Sequence, residues 1–266
     1  MSGPGVSSLA SLDGEIMPVG EATISVADHG LVRGDGAFEV MRVYQGRPFA
    51  LDAHLARLQR TGSTLRLPVD LEAVRAETHR LLAAAGDGPD HALVRVMITR
   101  GGRRVMMTEQ LPETPELLRC KTITYAPTRI LDGAKSLSYG ANMLAGRLAR
   151  EQGYDEAILV TPHGRVLEAP TSSLFWVEGE TLLTPPLEDH ILASITRALI
   201  LELTDAREQS CPLERLLAAD EVFISSTTRE AQGVIAVDDQ PFAAPGPVTA
   251  RTGQAVMARI AAELAG

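Results

Sequence analysis

Lysine is the residue this chain most nearly lacks. Of its 25 basic side chains only two, Lys121 and Lys135, are lysines, and the other 23 are arginines. Cysteine is almost as scarce. Cys120 and Cys211 stand far apart and form no CxxC, which excludes a disulfide scaffold. The six histidines (His29, His54, His79, His91, His163, His190) show no paired ligand spacing, so no metal site is expected. Aromatic residues make up 4% of the chain, too few for a base-stacking surface. The net charge of −9 contains no basic block, which argues against nucleic acid as a partner. No apolar run reaches the roughly 20 residues of a membrane helix. The stretch MSGPGVSSLASLDGEIM has neither a charged leader region nor an apolar one. The expectation is a soluble, reduced, cytoplasmic protein.

Where arginine serves almost every positive charge, a lysine that remains invites a chemical reason. A guanidinium keeps its proton in a protein, whereas a desolvated amine can lose one and condense with a carbonyl. Lys135 lies in DGAKSLSYGAN, between a glycine-bearing turn and a mildly apolar run.

The 266 residues, 45% hydrophobic, suffice for one large or two modest domains. SLASLDGEIMPV and FEVMRVYQGRPFAL read as hairpins turning at Asp13-Gly14 and Gln45-Gly46. Asp52 is expected to cap a helix carrying Leu55, Leu58 and Leu65, and Asp70 another carrying Leu71, Val74, Leu81 and Leu82. HALVRVMITRG is a predicted strand. Residues 1–118 therefore read as a small α+β domain. Three prolines in PETPELLRCKTITYAPTRILDGA mark a connection over 119–131, and a second domain follows over 132–266. That domain is expected to hold a helix over 140–152, with Ala141, Leu144 and Leu148 on its apolar face. Hairpins at His163-Gly164 and Glu178-Gly179, a helix after Ser194 and a C-terminal helix from Val248 complete it. Hairpin turns demand antiparallel pairs, so a regular βαβ series is not expected.

Four features converge. They are the Lys135 amine, Glu168 on a return strand, Ser194 and Thr196 at a helix start, and the hydroxyl turn Ser225–Thr228. Singly each has an ordinary reading: a surface amine, a solvated carboxylate, a helix cap, a polar turn. Together they suit pyridoxal phosphate. That cofactor takes an amine for its aldehyde, a carboxylate for its ring nitrogen and a cradle of N–H and hydroxyl groups for its phosphate. Arg57 can complete the cradle, since a guanidinium meets phosphate oxygens bidentately.

The chain at this point resembles the class IV aminotransferases, the fold-type IV pyridoxal phosphate enzymes. These include branched-chain and D-amino-acid aminotransferases, (R)-selective amine transaminases and aminodeoxychorismate lyase. The resemblance runs colinearly from about Leu12 to Val237. DHGLVRGDGAFEVMRVYQGRPFALDAHLARL is similar to the N-terminal signature, AKSLSY to the lysine motif and GYDEAILVTPHGRVLEAPTSSLFWV to the glutamate hairpin. LLTPPLEDHILASITR is similar to the phosphate helix and ADEVFISSTTRE to the last hydroxyl turn.

The resemblance implies a two-domain, D-amino-acid-aminotransferase-like α/β (α+β) fold, the larger domain having a barrel-like β core, and a homodimer. It gives Lys135 the Schiff base and the proton shuttle. Glu168 would face the ring nitrogen, and Arg57, Ile195, Thr196 and Thr227 would hold the phosphate. Tyr139 would lie near the cofactor's phenolic oxygen and Leu192 on the ring face. Candidates for the substrate end are Arg33, Phe38, Arg100, Arg103, Arg104 and Thr228. The phosphate helix reads Ser194-Ile195-Thr196 where the family usually has Gly-Ile-Thr. The tyrosines that branched-chain enzymes place near Arg33 and Leu93 are missing. The implied activity is amino transfer from a D- or branched-chain L-amino acid to a 2-oxo acid by a ping-pong cycle. The alternatives are aminodeoxychorismate lyase and a non-catalytic protein on the same scaffold.

Overall fold

A computed structural model describes residues 8–86, 88 and 92–265. His91 and the first seven residues of the N-terminal stretch considered for a leader lie outside the described residues. The chain divides into two compact units, Met1–Pro112 with Ala134–Tyr139, and Glu113–Gly133 with Gly140–Gly266. The lysine segment, placed by the sequence reading at the start of the later domain, groups with the first unit.

The first unit is a mixed sheet-and-helix layer. Its strands are β1 (Leu9–Leu12), β2 (Glu15–Pro18), β3 (Gly36–Tyr44), β4 (Arg47–Pro48), β5 (Leu93–Thr99) and β6 (Arg104–Glu109), in the spatial order β2-β1-β6-β5-β3-β4. Every pair is antiparallel. Two hairpins turn where expected, with Asp13-Gly14 and Gln45-Gly46 all at positive φ. Its helices are α1 (His29–Arg33), α2 (Leu51–Leu65) and α3 (Leu71–Ala85). Strand alternation sends Ala37, Met41 and Val43 of β3 into a core with Val94, Val96 and Ile98 of β5 and with Leu55, Leu58, Val74 and Leu81 of the helices. Phe38 and Val40 therefore point to the opposite face. Asp70 caps α3, accepting from the Ala73 N–H at 3.0 Å. Asp52 does not cap α2. The cap is Ala50, in a left-handed conformation, so Asp52 falls in the first turn, where it pairs with Arg75 at 2.5 Å.

The second unit holds β7 (Leu118–Thr124), α4 (Gly140–Glu151), β8 (Glu156–Val160), β9 (Arg165–Val166), β10 (Ser173–Glu178), β11 (Thr181–Thr184) and α5 (Ile195–Leu203). After these come β12 (Arg207–Glu208), β13 (Cys211–Pro212), α6 (Leu213–Leu217), β14 (Glu221–Ser225), β15 (Gln232–Val237), β16 (Gln240–Pro241) and α7 (Pro247–Ala265). The sheet path is β12-β11-β10-β14-β15-β7-β8-β9-β13, with β16 on β15. Its two ends, β12 and β13, are joined by only Gln209 and Ser210, a span of at most about 10 Å. The sheet must therefore curl back on itself, which gives the barrel-like core. Ile158, Val160, Leu174, Trp176, Val222 and Ile224 fill its interior, while Ala157 and Leu159 face outward against Ala145 and Ala149 of α4.

Two expectations are corrected here. The prolines at 115 and 127 bracket a strand rather than break one, so β7 lies inside the sheet. It runs parallel to both β15 and β8, and β7-α4-β8 forms a βαβ unit. On α4 the buried face is Ala145, Gly146 and Ala149, while Leu144 and Leu148 are 48% and 37% exposed. Small residues let the helix lie close on β8 and turn its larger apolar side chains outward.

Candidate active site

In the first unit, Lys135 is fixed by its backbone. Its N–H donates to Thr61 Oγ1 on α2 at 3.1 Å, and its carbonyl accepts from the Phe38 N–H on β3 at 3.0 Å. The neighbouring residues extend the seam: Ser136 bridges Ala37, and the Leu137 N–H donates to the Gly36 carbonyl at 2.9 Å. The half-buried side chain places Nζ 4.4 Å from the Phe38 ring centroid and 5.6 Å from that of Tyr139. Those rings meet edge to face at 5.2 Å. The Lys135 amine thus has a rigid backbone and aromatic walls that restrict its hydration.

Beneath it lies a buried charge cluster that the sequence reading did not assemble. Glu39, on the core side of β3, accepts from Arg57 Nε at 2.7 Å, from Arg57 Nη2 at 2.6 Å and from His54 Nδ1 at 2.8 Å. Glu39, His54 and Arg57 are 1%, 1% and 4% exposed. Burial alone would raise the Glu39 carboxyl, but hydrogen bonds from Arg57 and His54 outweigh it and hold the group at about 2. Burial lowers His54 below its ordinary range, and the Glu39 contact only partly opposes this, so the ring is neutral at pH 7. His54, Arg57 and Thr61 fall at i, i+3 and i+7, one polar stripe on an otherwise apolar helix face. The signal was legible as that spacing. Its partner on β3 was not, because pairing a strand residue with a helix stripe requires the tertiary register.

In the second unit, Glu168 follows β9. Its carbonyl accepts from the Leu159 N–H, and its half-buried carboxylate accepts from the Leu192 N–H at 3.1 Å. Leu192 therefore contributes its backbone to the orientation of Glu168. Nearby Tyr125, also missed in the sequence, has its phenol pushed up by burial and then by the Glu168 charge. Ser194 caps α5, its hydroxyl accepting from the Arg197 N–H at 3.2 Å, and Ile195 and Thr196 form the first turn. The turn after β14 closes by donation from the Arg229 and Glu230 N–H groups to the Ser226 carbonyl. It contains Thr227 and Thr228, the latter 3.1 Å from the Ser226 hydroxyl.

The arginines expected at the substrate end differ in their commitments. Arg100 holds Asp35 through two contacts and caps the α2 C-terminus at the Leu65 and Arg66 carbonyls. Arg103 pairs with Asp13 and Arg104 with Glu77. Arg33 ends α1, is exposed, and enters no ion pair among the described residues. Arg95, absent from the sequence candidates, lies opposite Val40, reaches 5.9 Å from the Phe38 ring and pairs with Glu109.

Each unit by itself offers groups of the kinds pyridoxal phosphate takes: the first a backbone-fixed amine and a buried arginine, the second an oriented carboxylate and a capped helix start. The family model for amino-transferase class IV matches residues 36–237. A putative branched-chain-amino-acid aminotransferase from Methanocaldococcus jannaschii is 31% identical, over 85% of this chain and 87% of that protein. A bifunctional aminodeoxychorismate lyase / D-amino acid transaminase from Mycobacterium tuberculosis is 31% identical, over 89% of each. A hypothetical aminotransferase from the same organism, solved with alpha-ketoglutarate and PMP bound, superposes with a TM-score of 0.86 at 26% identity, over 96% of this chain and 99% of that one. The chain belongs to the class IV aminotransferases, a pyridoxal phosphate-dependent family.

Proposed function

We propose that this enzyme transfers an amino group from an amino acid to a 2-oxo acid, with Lys135 as its catalytic amine. The observation that carries the reading is the pinning of Lys135 between Thr61 and Phe38, with Nζ against aromatic faces. When bound, pyridoxal phosphate supplies an aldehyde for the donor's amino group and a conjugated ring that spreads the electron pair left at Cα. Lys135 Nζ takes the Cα proton and returns it on the other side of the transfer, as general base and then acid. Glu168, held by the Leu192 N–H, would face the ring nitrogen and keep it protonated. Arg57, Ile195, Thr196 and Thr227 would hold the phosphate, Tyr139 would serve the phenolic oxygen, and Leu192 would lie against the ring. At the substrate end Arg33 is the arginine without a carboxylate partner among the described residues, which favours it over Arg100, Arg103 and Arg104 for the substrate carboxylate. Phe38 and Thr228 complete that end.

A second reading, elimination of pyruvate from aminodeoxychorismate to give 4-aminobenzoate, is supported by the bifunctional relative. It uses the same lysine. Loading the protein with pyridoxal phosphate and adding L-leucine, D-alanine or (R)-1-phenylethylamine separately, without acceptor, decides between them. Amino transfer predicts loss of the yellow cofactor band, fastest with the true donor. A band that no donor changes, with turnover of aminodeoxychorismate, makes the lyase correct.

A homodimer is supported by the exposed Met143, Leu144 and Leu148 of α4, and sedimentation of a monomer would remove it. No described helix is long and apolar enough to cross a membrane. A reduced, cytoplasmic setting is supported by the free, buried Cys120 and Cys211, the second pushed up to about 12 by burial. Fractionation that finds the protein in an oxidising compartment would contradict it.

A further inference from the structure

The hydroxyl turn after β14 is anchored by a side chain to which no role is assigned above. Arg229 Nη2 donates to Glu156 Oε2 on β8 at 3.0 Å, and its Nη1 donates to Gln232 Oε1 at the start of β15 at 2.6 Å. Both partners are held in turn. Glu156 Oε1 accepts the Ala157 N–H at 3.0 Å, and Gln232 Nε2 donates to the Pro115 carbonyl. Glu156 and Gln232 are buried, and the Arg229 side chain is 12% exposed. A buried ion pair adds little net stability over apolar residues of the same volume, so this one calls for a second reason.

What the network brackets is the turn itself. The Arg229 and Glu230 N–H groups donate to the Ser226 carbonyl at 3.1 and 3.0 Å, and Glu230 stands at φ +47°. A non-glycine residue keeps a left-handed conformation only where its surroundings fix it, and here Arg229 and Gln232 are tied down on either side of Glu230. The Thr228 N–H donates to the Ser226 hydroxyl at 3.3 Å. Thr227 differs from these neighbours. It is half-buried, and neither its N–H nor its hydroxyl meets a hydrogen-bond partner among the described residues. The turn thus directs its other polar groups to its own shape and leaves two donors on Thr227.

We infer that Arg229 is a positioning residue for the cofactor phosphate: tethered to Glu156 and Gln232, it holds the turn in the shape that sets the Thr227 N–H and hydroxyl as ready anion donors. The inference rests on the assignment of Thr227 to the phosphate. The Arg229 guanidinium is committed to Glu156 and Gln232, so its contribution is preorganisation of the turn. That advantage exists only for ligands that carry the phosphate.

The test compares pyridoxal phosphate with pyridoxal, which lacks the phosphate, by equilibrium dialysis against the apo form of the full chain. Wild type, Arg229→Met, the double variant Arg229→Met/Glu156→Gln and Thr227→Val are measured, with a thermal melt of each. Arg229→Met leaves the Glu156 carboxylate buried and unpaired, so its melting temperature is expected to fall. The double variant removes both charges and is expected to regain much of that loss while the turn stays untethered. Both variants are expected to bind pyridoxal phosphate about tenfold more weakly or worse, with pyridoxal changed less than about twofold. A purely structural role restores pyridoxal phosphate binding along with the melting temperature, or moves both ligands alike, and either result overturns the inference. If Thr227→Val leaves pyridoxal phosphate unaffected, the Thr227 assignment itself fails. If Thr227→Val discriminates between the ligands and the double variant does not, only the present inference fails. The double variant carries the same comparison alone if Arg229→Met yields no folded protein.

Discussion

Glu39 and His54 make the first unit sensitive to acid in a definite order. The Glu39 carboxyl, ordinarily at 4.5, is held at about 2 in the fold. Between those values the unfolded chain binds the extra proton, so the stabilisation is complete above 4.5 and is lost as pH falls through about 2. The shift corresponds to about 3 kcal/mol. His54 is also lowered, from 6.5, because burial disfavours its charged form. Its contribution is therefore present above 6.5 and erodes below it. Denaturant melts of wild type and Glu39→Gln from pH 7 to pH 2 check this. The stability gap is predicted to close as pH drops below about 4, and a gap that stays constant to pH 2 contradicts it. The residues with chemistry legible in the sequence were those whose type alone is informative, such as a rare lysine or a lone glutamate in an apolar strand. Glu39 was legible only as part of a motif, since nothing in its type separates a buried partner of Arg57 and His54 from a surface charge.

The seam joining β3 to the lysine segment depends on a residue with no side chain. A Cβ on Gly36 would sit 2.4 Å from the Ile98 carbonyl oxygen and 2.6 Å from Leu137 Cδ1. The first is backbone of the neighbouring strand and cannot yield cheaply, so the strain falls on the segment whose Leu137 N–H bonds Gly36. Gly36→Ala is predicted to cost about 1–3 kcal/mol and to slow attachment of the cofactor to Lys135. Urea melts and the rate of appearance of the yellow band measure the two effects, and a variant as stable and as fast as wild type contradicts the account. Hairpins and caps were the most legible elements, because Asp13-Gly14, Gln45-Gly46, Asp70 and Ser194 act locally. The errors arose where distant partners decide. Ala50, not Asp52, begins α2, β7 hides between prolines, and α4 buries its alanines rather than its leucines.

For the whole molecule, five colinear motifs carried the family and the cofactor. The division of the chain was harder to read, because Ala134–Tyr139 returns to the first unit after an excursion of 21 residues, Glu113–Gly133, in the second. That return is a matter of tertiary pairing with β3, which no local composition announces. It also places Lys135 on the same unit as Arg57 and Glu39, which is why the account centres on this lysine. The near absence of lysine makes the claim unusually direct to test. Lys121, the other lysine, pairs with Asp238 at 2.9 Å. The decisive measurement is borohydride reduction of the cofactor-loaded protein, followed by proteolysis and mass mapping of the phosphopyridoxyl group. The account predicts stoichiometric label on the Lys135 peptide and none on the Lys121 peptide. Label on Lys121, or none on either lysine, contradicts it.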